Sequence, residues 1–208
     1  MPEVIDAATA VRRAIALAAA PGRALLGLAG APAAGKSTLA ARLAEQVTGS
    51  VVVPMDGFHL PTAVLAEHGW VGERGTPRTF DADGFVALLH ELAAGRALRA
   101  PAFDRSREEP VAAAVDVPAA APLLIVEGNY LLLDAPPWDA VRTLLDAVWF
   151  VEVDEQLRLA RLIARHVSFG ATPEWATKRA TQGSDAANAR VVSATRAHAD
   201  LVVRADER

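Results

Sequence analysis

Gly30-Ala31-Pro32-Ala33-Ala34-Gly35-Lys36-Ser37 places two glycines, a lysine and a hydroxyl at the spacing of a phosphate-binding loop. The glycines permit backbone torsions and a close approach that let successive amides, including those of Ala31, Ala33 and Ala34, point at phosphate oxygens. A helix that follows adds its positive end. Lys36 contributes a mobile point charge, the Ser37 hydroxyl suits a magnesium ion bridging phosphates, and Thr38 stands beside it. Two acids, Asp56 and Glu127, each follow an apolar run further along. Phosphoryl transfer to an alcohol needs a group to receive the hydroxyl proton and a metal to neutralise charge, and one carboxylate could serve each task. Each acid also has an ordinary structural reading: Asp56-Gly57 as a tight turn, Glu127 as a cap or the partner of a basic neighbour.

These residues can act together only if the elements around them converge. Residues 24–29 read as a strand that runs into the glycine loop, and 37–47 as the helix behind it. A second strand, 51–55, ends at Asp56, and a third, 123–126, ends at Glu127. Residues 147–153 repeat the pattern, with 201–203 as a short final strand. Runs apolar on both faces and separated by helices predict a parallel sheet covered on both sides. In such sheets ligands bind beyond the carboxyl ends of the strands, where Asp56 and Glu127 fall. Helical spacing is expected over 3–20, from Asp81 or Asp83 to Gly95, over 155–167 and over 185–197. Residues 56–79 and 96–122 read as long irregular or exposed segments, the kind that often carry function.

A chain of 208 residues, 52% of them apolar, predicts one domain over 1–208. A net charge of −4 argues against nucleic acid or an anionic membrane as partner, so any phosphate site must be local. The absence of cysteine excludes disulfides and thiolate chemistry and agrees with a reducing cytoplasm. Five histidines, at 59, 68, 90, 166 and 198, are too scattered for a metal signature. No apolar run approaches the ~20 residues that span a bilayer, and the start lacks a signal peptide's basic region, so a cytoplasmic protein without membrane contact is expected.

The loop, Val53-Pro54-Met55-Asp56-Gly57-Phe58-His59, Thr79-Phe80-Asp81, Pro101-Ala102-Phe103-Asp104-Arg105 and Ile125-Val126-Glu127-Gly128-Asn129-Tyr130 together resemble the superfamily of uridine kinase, phosphoribulokinase and bacterial pantothenate kinase. Within it, the chain is most similar to the branch of nucleoside or nucleotide kinases and fructose-operon kinases. The resemblance implies a P-loop NTPase fold, three-layer α/β/α, with a five-stranded parallel sheet and a mobile helical lid at approximately 165–182. It implies ATP and Mg2+ as cofactors, Asp56 as catalytic base, and Glu127 with Ser37 near the magnesium. Arg158, Arg161 and Arg165 are spaced to share a helix face. With the lid placed there by the resemblance, Arg161 is expected to stabilise the transferring phosphoryl group, Arg165 to hold the nucleotide, and Arg158 to be structural.

His59, Arg74, Arg78 and Arg105 lie in the exposed segments expected over the acceptor, and Asn129 and Tyr130 follow Glu127 toward the same crevice. They are the expected substrate contacts, and the resemblance implies that Asn188 approaches either the nucleotide or the substrate. The activity expected is transfer of the ATP γ-phosphate to a hydroxyl of a sugar, nucleoside or related polar metabolite. A single tyrosine leaves no tyrosine-rich nucleoside pocket, which tilts the expectation toward a sugar or other small polar alcohol. The alternatives are a nucleotide-dependent switch that hydrolyses slowly, although a guanine-specificity Asn-Lys-x-Asp is absent, and a pantothenate-type kinase. A homodimer is compatible with each.

Overall fold

In the computed structural model, which describes residues 1–205, the chain opens with a short strand, β1 (Glu3–Asp6), and turns into α1 (Ala7–Ala18). This corrects the helix expected over 3–20. Val4 and Ile5 pair in parallel with a C-terminal strand, and the Asp6 carboxylate caps the helix behind them by accepting the Thr9 amide at 2.6 Å. β2 (Ala24–Ala29), buried throughout, leads through the glycine loop into α2 (Lys36–Gln46). β3 (Val51–Pro54) passes into a 3-10 turn at Met55–Phe58. The segment expected to be irregular then holds α3 (Thr62–Glu67) and further 3-10 turns at Val71–Glu73 and Pro77–Thr79.

α4 (Ala82–Ala93) starts at Asp81, whose carboxylate accepts the Gly84 amide at 2.9 Å. Where an exposed segment was expected, β4 (Leu98–Asp104) and β5 (Glu109–Val117) form an antiparallel hairpin. There follow β6 (Leu123–Gly128), α5 (Asp139–Thr143), β7 (Ala147–Glu152), α6 (Glu155–Ser168), α7 (Pro173–Gln182), α8 (Ser184–Ala194) and β8 (Leu201–Arg204). The helix expected over 185–197 tightens to a 3-10 turn at Thr195–His198.

Among the described residues, six parallel strands form the main sheet in the order β1-β8-β7-β2-β6-β3, one more than expected because β1 joins its edge. Alternate strand residues feed separate cores. Leu25, Leu124, Val126 and Phe150 pack with Phe58, Phe85 and Trp138; Leu26, Leu28, Ile125 and Trp149 pack with Ala10, Ala14, Leu39 and Leu43. Helices therefore cover both faces, giving the three-layer α/β/α P-loop fold. The register sets Pro54 beside Glu127, so Asp56, two residues on, leaves the sheet at the same end as Glu127.

Candidate active site

The loop between β2 and α2 fits only because of its glycines. A side chain at Gly30 would collide with the Val151 carbonyl oxygen of β7. Lys36, the first residue of α2, is only 8% exposed. Its ammonium donates to Gly30 O at 2.9 Å, Ala31 O at 3.2 Å and Asn129 Oδ1 at 2.8 Å. Burial pulls its pKa down to about 8, against the opposing pull of Glu127 and Asp56. Asn129 thus holds the lysine from the end of β6, although the sequence suggested it for the acceptor. The Ser37 hydroxyl donates to Glu127 Oε1 at 3.1 Å, and burial raises the Glu127 carboxyl despite Lys36. Arg158, buried on α6, donates to the Pro32 carbonyl at 3.0 Å and pairs with Glu155 at 2.7 Å, tying that helix to the loop.

Lys36, Ser37, Glu127 and Asn129 line a cavity of about 850 Å³, together with Thr38, Arg42, Arg161 and Arg165. Burial and the nearby Arg105 both lower the Arg165 pKa. In the same cavity Asp56, in its 3-10 turn, accepts from Arg105 of the hairpin at 2.6 Å. His59 stacks on Phe80, with ring centroids 4.0 Å apart, and lies 4.8 Å from Phe103. Burial drives the His59 pKa down to about 4; Arg74 and Arg105 add to this and Asp56 opposes it. Arg74 donates to Thr62 Oγ1 at 2.7 Å and to the Glu108 carbonyl at 3.1 Å.

Two of the residues expected at the substrate lie elsewhere. Arg78 pairs with Glu73 and sits over the Trp70 ring at 5.2 Å, outside the cavity lining. Tyr130 is 1% exposed and packs against Phe80 and Trp138, its hydroxyl donating to the Gly75 carbonyl. Burial there raises the phenol pKa. Arg78 is thus engaged at the exposed surface of its loop, and Tyr130 in the core beyond β6.

The cavity also collects residues that sequence reasoning passed over, chiefly Asp185 of α8 and Arg179 of α7. Asp185 lies 2.7 Å from His166 and 3.4 Å from Arg179. The available signal was an acid and an amide, Asp185 and Asn188, on one turn of a helix that buries both.

The donor set also fits magnesium. Among the described residues there is no cluster of three or more His, Cys, Asp or Glu that could cage a metal. Ser37 and Glu127 offer two adjacent hard oxygens at the phosphate loop. An ion that keeps its waters and shares phosphate oxygens needs no more from the protein.

The sequence model of the Phosphoribulokinase / Uridine kinase family matches residues 25–205. A provisionally assigned uridine kinase of Schizosaccharomyces pombe is 37% identical over 217 residues, covering 98% of this chain and 92% of its own. An ATP-dependent kinase-like protein of Aspergillus versicolor is 36% identical over 159 residues, covering 72% of this chain and 87% of its own. A solved structure of a provisionally assigned fructose transport system kinase from Silicibacter sp. superposes with a TM-score of 0.84 at 37% identity. That match covers 95% of this chain and 98% of the other.

Proposed function

The chain belongs to the phosphoribulokinase and uridine kinase family of ATP-dependent P-loop kinases, which phosphorylate alcohols, and we propose that it moves the γ-phosphoryl group of ATP to a hydroxyl of a small polar metabolite with Asp56 as base. The carrying observation is that Asp56 and the phosphate loop open into one cavity, close enough for the Asp56 charge to be felt at Lys36 and Glu127. The loop amides and Lys36 bind the phosphates and aim the terminal one at the acceptor end. As the acceptor oxygen bonds to phosphorus and the bond to the β-phosphate oxygen breaks, the hydroxyl proton passes to an Asp56 carboxylate oxygen, and ADP leaves.

The half-exposed Arg105 holds Asp56 in place through a pair that solvent weakens, so an incoming hydroxyl can exchange with it at little cost. Ser37 and Glu127 would hold magnesium, whose chemistry is neutralisation of phosphate charge. Arg161 and Arg165 reach the same end from α6 and stabilise charge on the transferring group. The α6–α7 corner, within residues 165–182, acts as the lid that excludes water.

The test is a coupled ADP assay over sugars including fructose, polyols, nucleosides and pantothenate. ADP release should depend on an acceptor, and Asp56→Asn should lower kcat by about 10²–10⁴ while the KM for ATP stays close to wild type. Full acceptor-stimulated turnover in that variant removes Asp56 as base. Equal ADP release with and without every acceptor replaces the kinase reading with that of a hydrolysing switch.

A further inference from the structure

Seven cationic side chains line the cavity against four carboxylates, in a chain whose net charge is −4. A magnesium-bound nucleoside triphosphate carries about two negative charges. The lining itself is net positive by formal count. At the end that holds Asp56, three elements each send in a guanidinium: Arg74 from the loop after α3, Arg105 from the hairpin and Arg179 from α7.

The carboxylates at that end do not account for all of them. Asp56 is held by Arg105 at 2.6 Å, and Asp185 is shared between His166 at 2.7 Å and Arg179 at 3.4 Å. Glu108 is exposed at the hairpin tip, and it is its backbone carbonyl that Arg74 reaches. Arg74 therefore hydrogen-bonds to a hydroxyl and a carbonyl, both neutral, with Glu109 near enough to feel its charge but bonded instead to the Thr62 amide at 3.2 Å. A guanidinium has five donors, and those two contacts leave capacity on a side chain that faces the cavity. The buried Arg179 Nε makes no hydrogen bond, and its near partner is the Asp185 carboxylate at 3.4 Å. His59, between Phe80 and Phe103, has its pKa lowered chiefly by burial, with smaller contributions from Arg74 and Arg105, and adds no charge at neutral pH.

The placement of Arg74 is fixed before any ligand binds. Thr62 and Glu108 hold its guanidinium from two sides, while Arg179 donates to its backbone carbonyl at 2.9 Å. A planar fork held in this way suits two-point binding of a carboxylate or phosphate ester, and the ordering cost is already met by the fold. Resting on the kinase reading above, we propose that the phosphate acceptor is an anion, an alcohol carrying a carboxylate or phosphate ester that Arg74 binds with Arg179 behind it, while its hydroxyl faces Asp56.

The test uses matched pairs that differ in the anionic group: glycerol with glycerate, pantothenol with pantothenate, ribose with ribose 5-phosphate, and fructose with fructose 6-phosphate. Turnover is followed by ADP formation. Binding is followed by calorimetry with magnesium and a non-hydrolysable ATP analogue. In at least one pair the anionic member should be preferred about tenfold or more, both in binding and in kcat/KM. The carboxylate and phosphate pairs show which group is read. Arg74→Gln should raise the KM of that acceptor about tenfold, leave the KM for ATP unchanged and narrow the preference over the neutral twin, while Arg74→Lys restores part of it.

A panel in which no anion is preferred to its twin overturns the proposal. So does a preference that survives Arg74→Gln in protein that still binds the ATP analogue. Preferred phosphorylation of a neutral member sinks the anionic acceptor and leaves the kinase intact. Preferred anion binding without any phosphoryl transfer supports the site and sinks the kinase.

Discussion

His59 shows how one side chain's surroundings set its behaviour. Its ring is stacked on Phe80, and burial takes its pKa to about 4. The unfolded chain titrates near the ordinary value, about 6.5. Between those values the unfolded state binds the proton and the folded state does not, so stability rises with pH. The contribution is complete above about pH 6.5 and is lost as the pH falls toward 4, to a limit of about 3 kcal/mol. His59→Gln should therefore lose less stability than wild type between pH 6.5 and 4.5, as read by denaturant midpoints across that range. Parallel profiles for the two proteins would show that the imidazole does not titrate as described. A further consequence is that the acceptor KM should show no inflection from this ring between pH 6 and 8.

At the level of elements, the hairpin carries Arg105 to Asp56, and Gly57 decides how close it can come. A β-carbon at Gly57 would meet the backbone of Pro101 and Ala102, which cannot swing aside as a flexible side chain could. Gly57→Ala should push β4 off the turn that holds Asp56. The expected cost is about 2 kcal/mol, with an acceptor KM raised more than the KM for ATP, measured by denaturation and steady-state kinetics on the same preparation. A stable variant with unchanged acceptor KM would show that the contact between turn and hairpin is slack.

The same hairpin marks the limit of what could be read from sequence. β2 and β6 were legible because Ala24–Ala29 and Leu123–Val126 are continuously apolar, as buried parallel strands must be. β4 and β5 were not, since alanines and prolines with little β-propensity interrupt the apolar pattern there and only Ala100 and Val117 are buried. β1 was hidden because Val4 also fits the helical spacing that follows it. The loop, Asp56 and Glu127 stood out because residue type and strand end coincide. The contact of Asp56 with Arg105 joins residues 49 apart in the chain, and that of Asp185 with His166 joins residues 19 apart, so neither has a local signal.

At the level of the whole molecule, the sheet brings two differently built halves to one cavity. The face that carries α1 and α2 backs the phosphate loop, and the aromatic face with Phe58, Phe85 and Trp138 backs the acceptor end. A ligand that touches both halves binds only the folded chain, so its affinity appears as stability. At a hundredfold excess over Kd, an ATP analogue with magnesium should add about 2.7 kcal/mol. For a chain of 208 residues that is a rise in Tm of about 5–10 °C. Lys36→Ala should lose most of this rise at the same concentration. Its ligand-free Tm should change little, because removal of a buried ammonium relieves a desolvation cost that its three oxygen acceptors only offset. Thermal denaturation of both proteins across an analogue titration gives the answer. An equal rise in the variant would mean that the phosphates are held without the lysine, and no concentration-dependent rise in the wild type would mean that the cavity does not take the nucleotide.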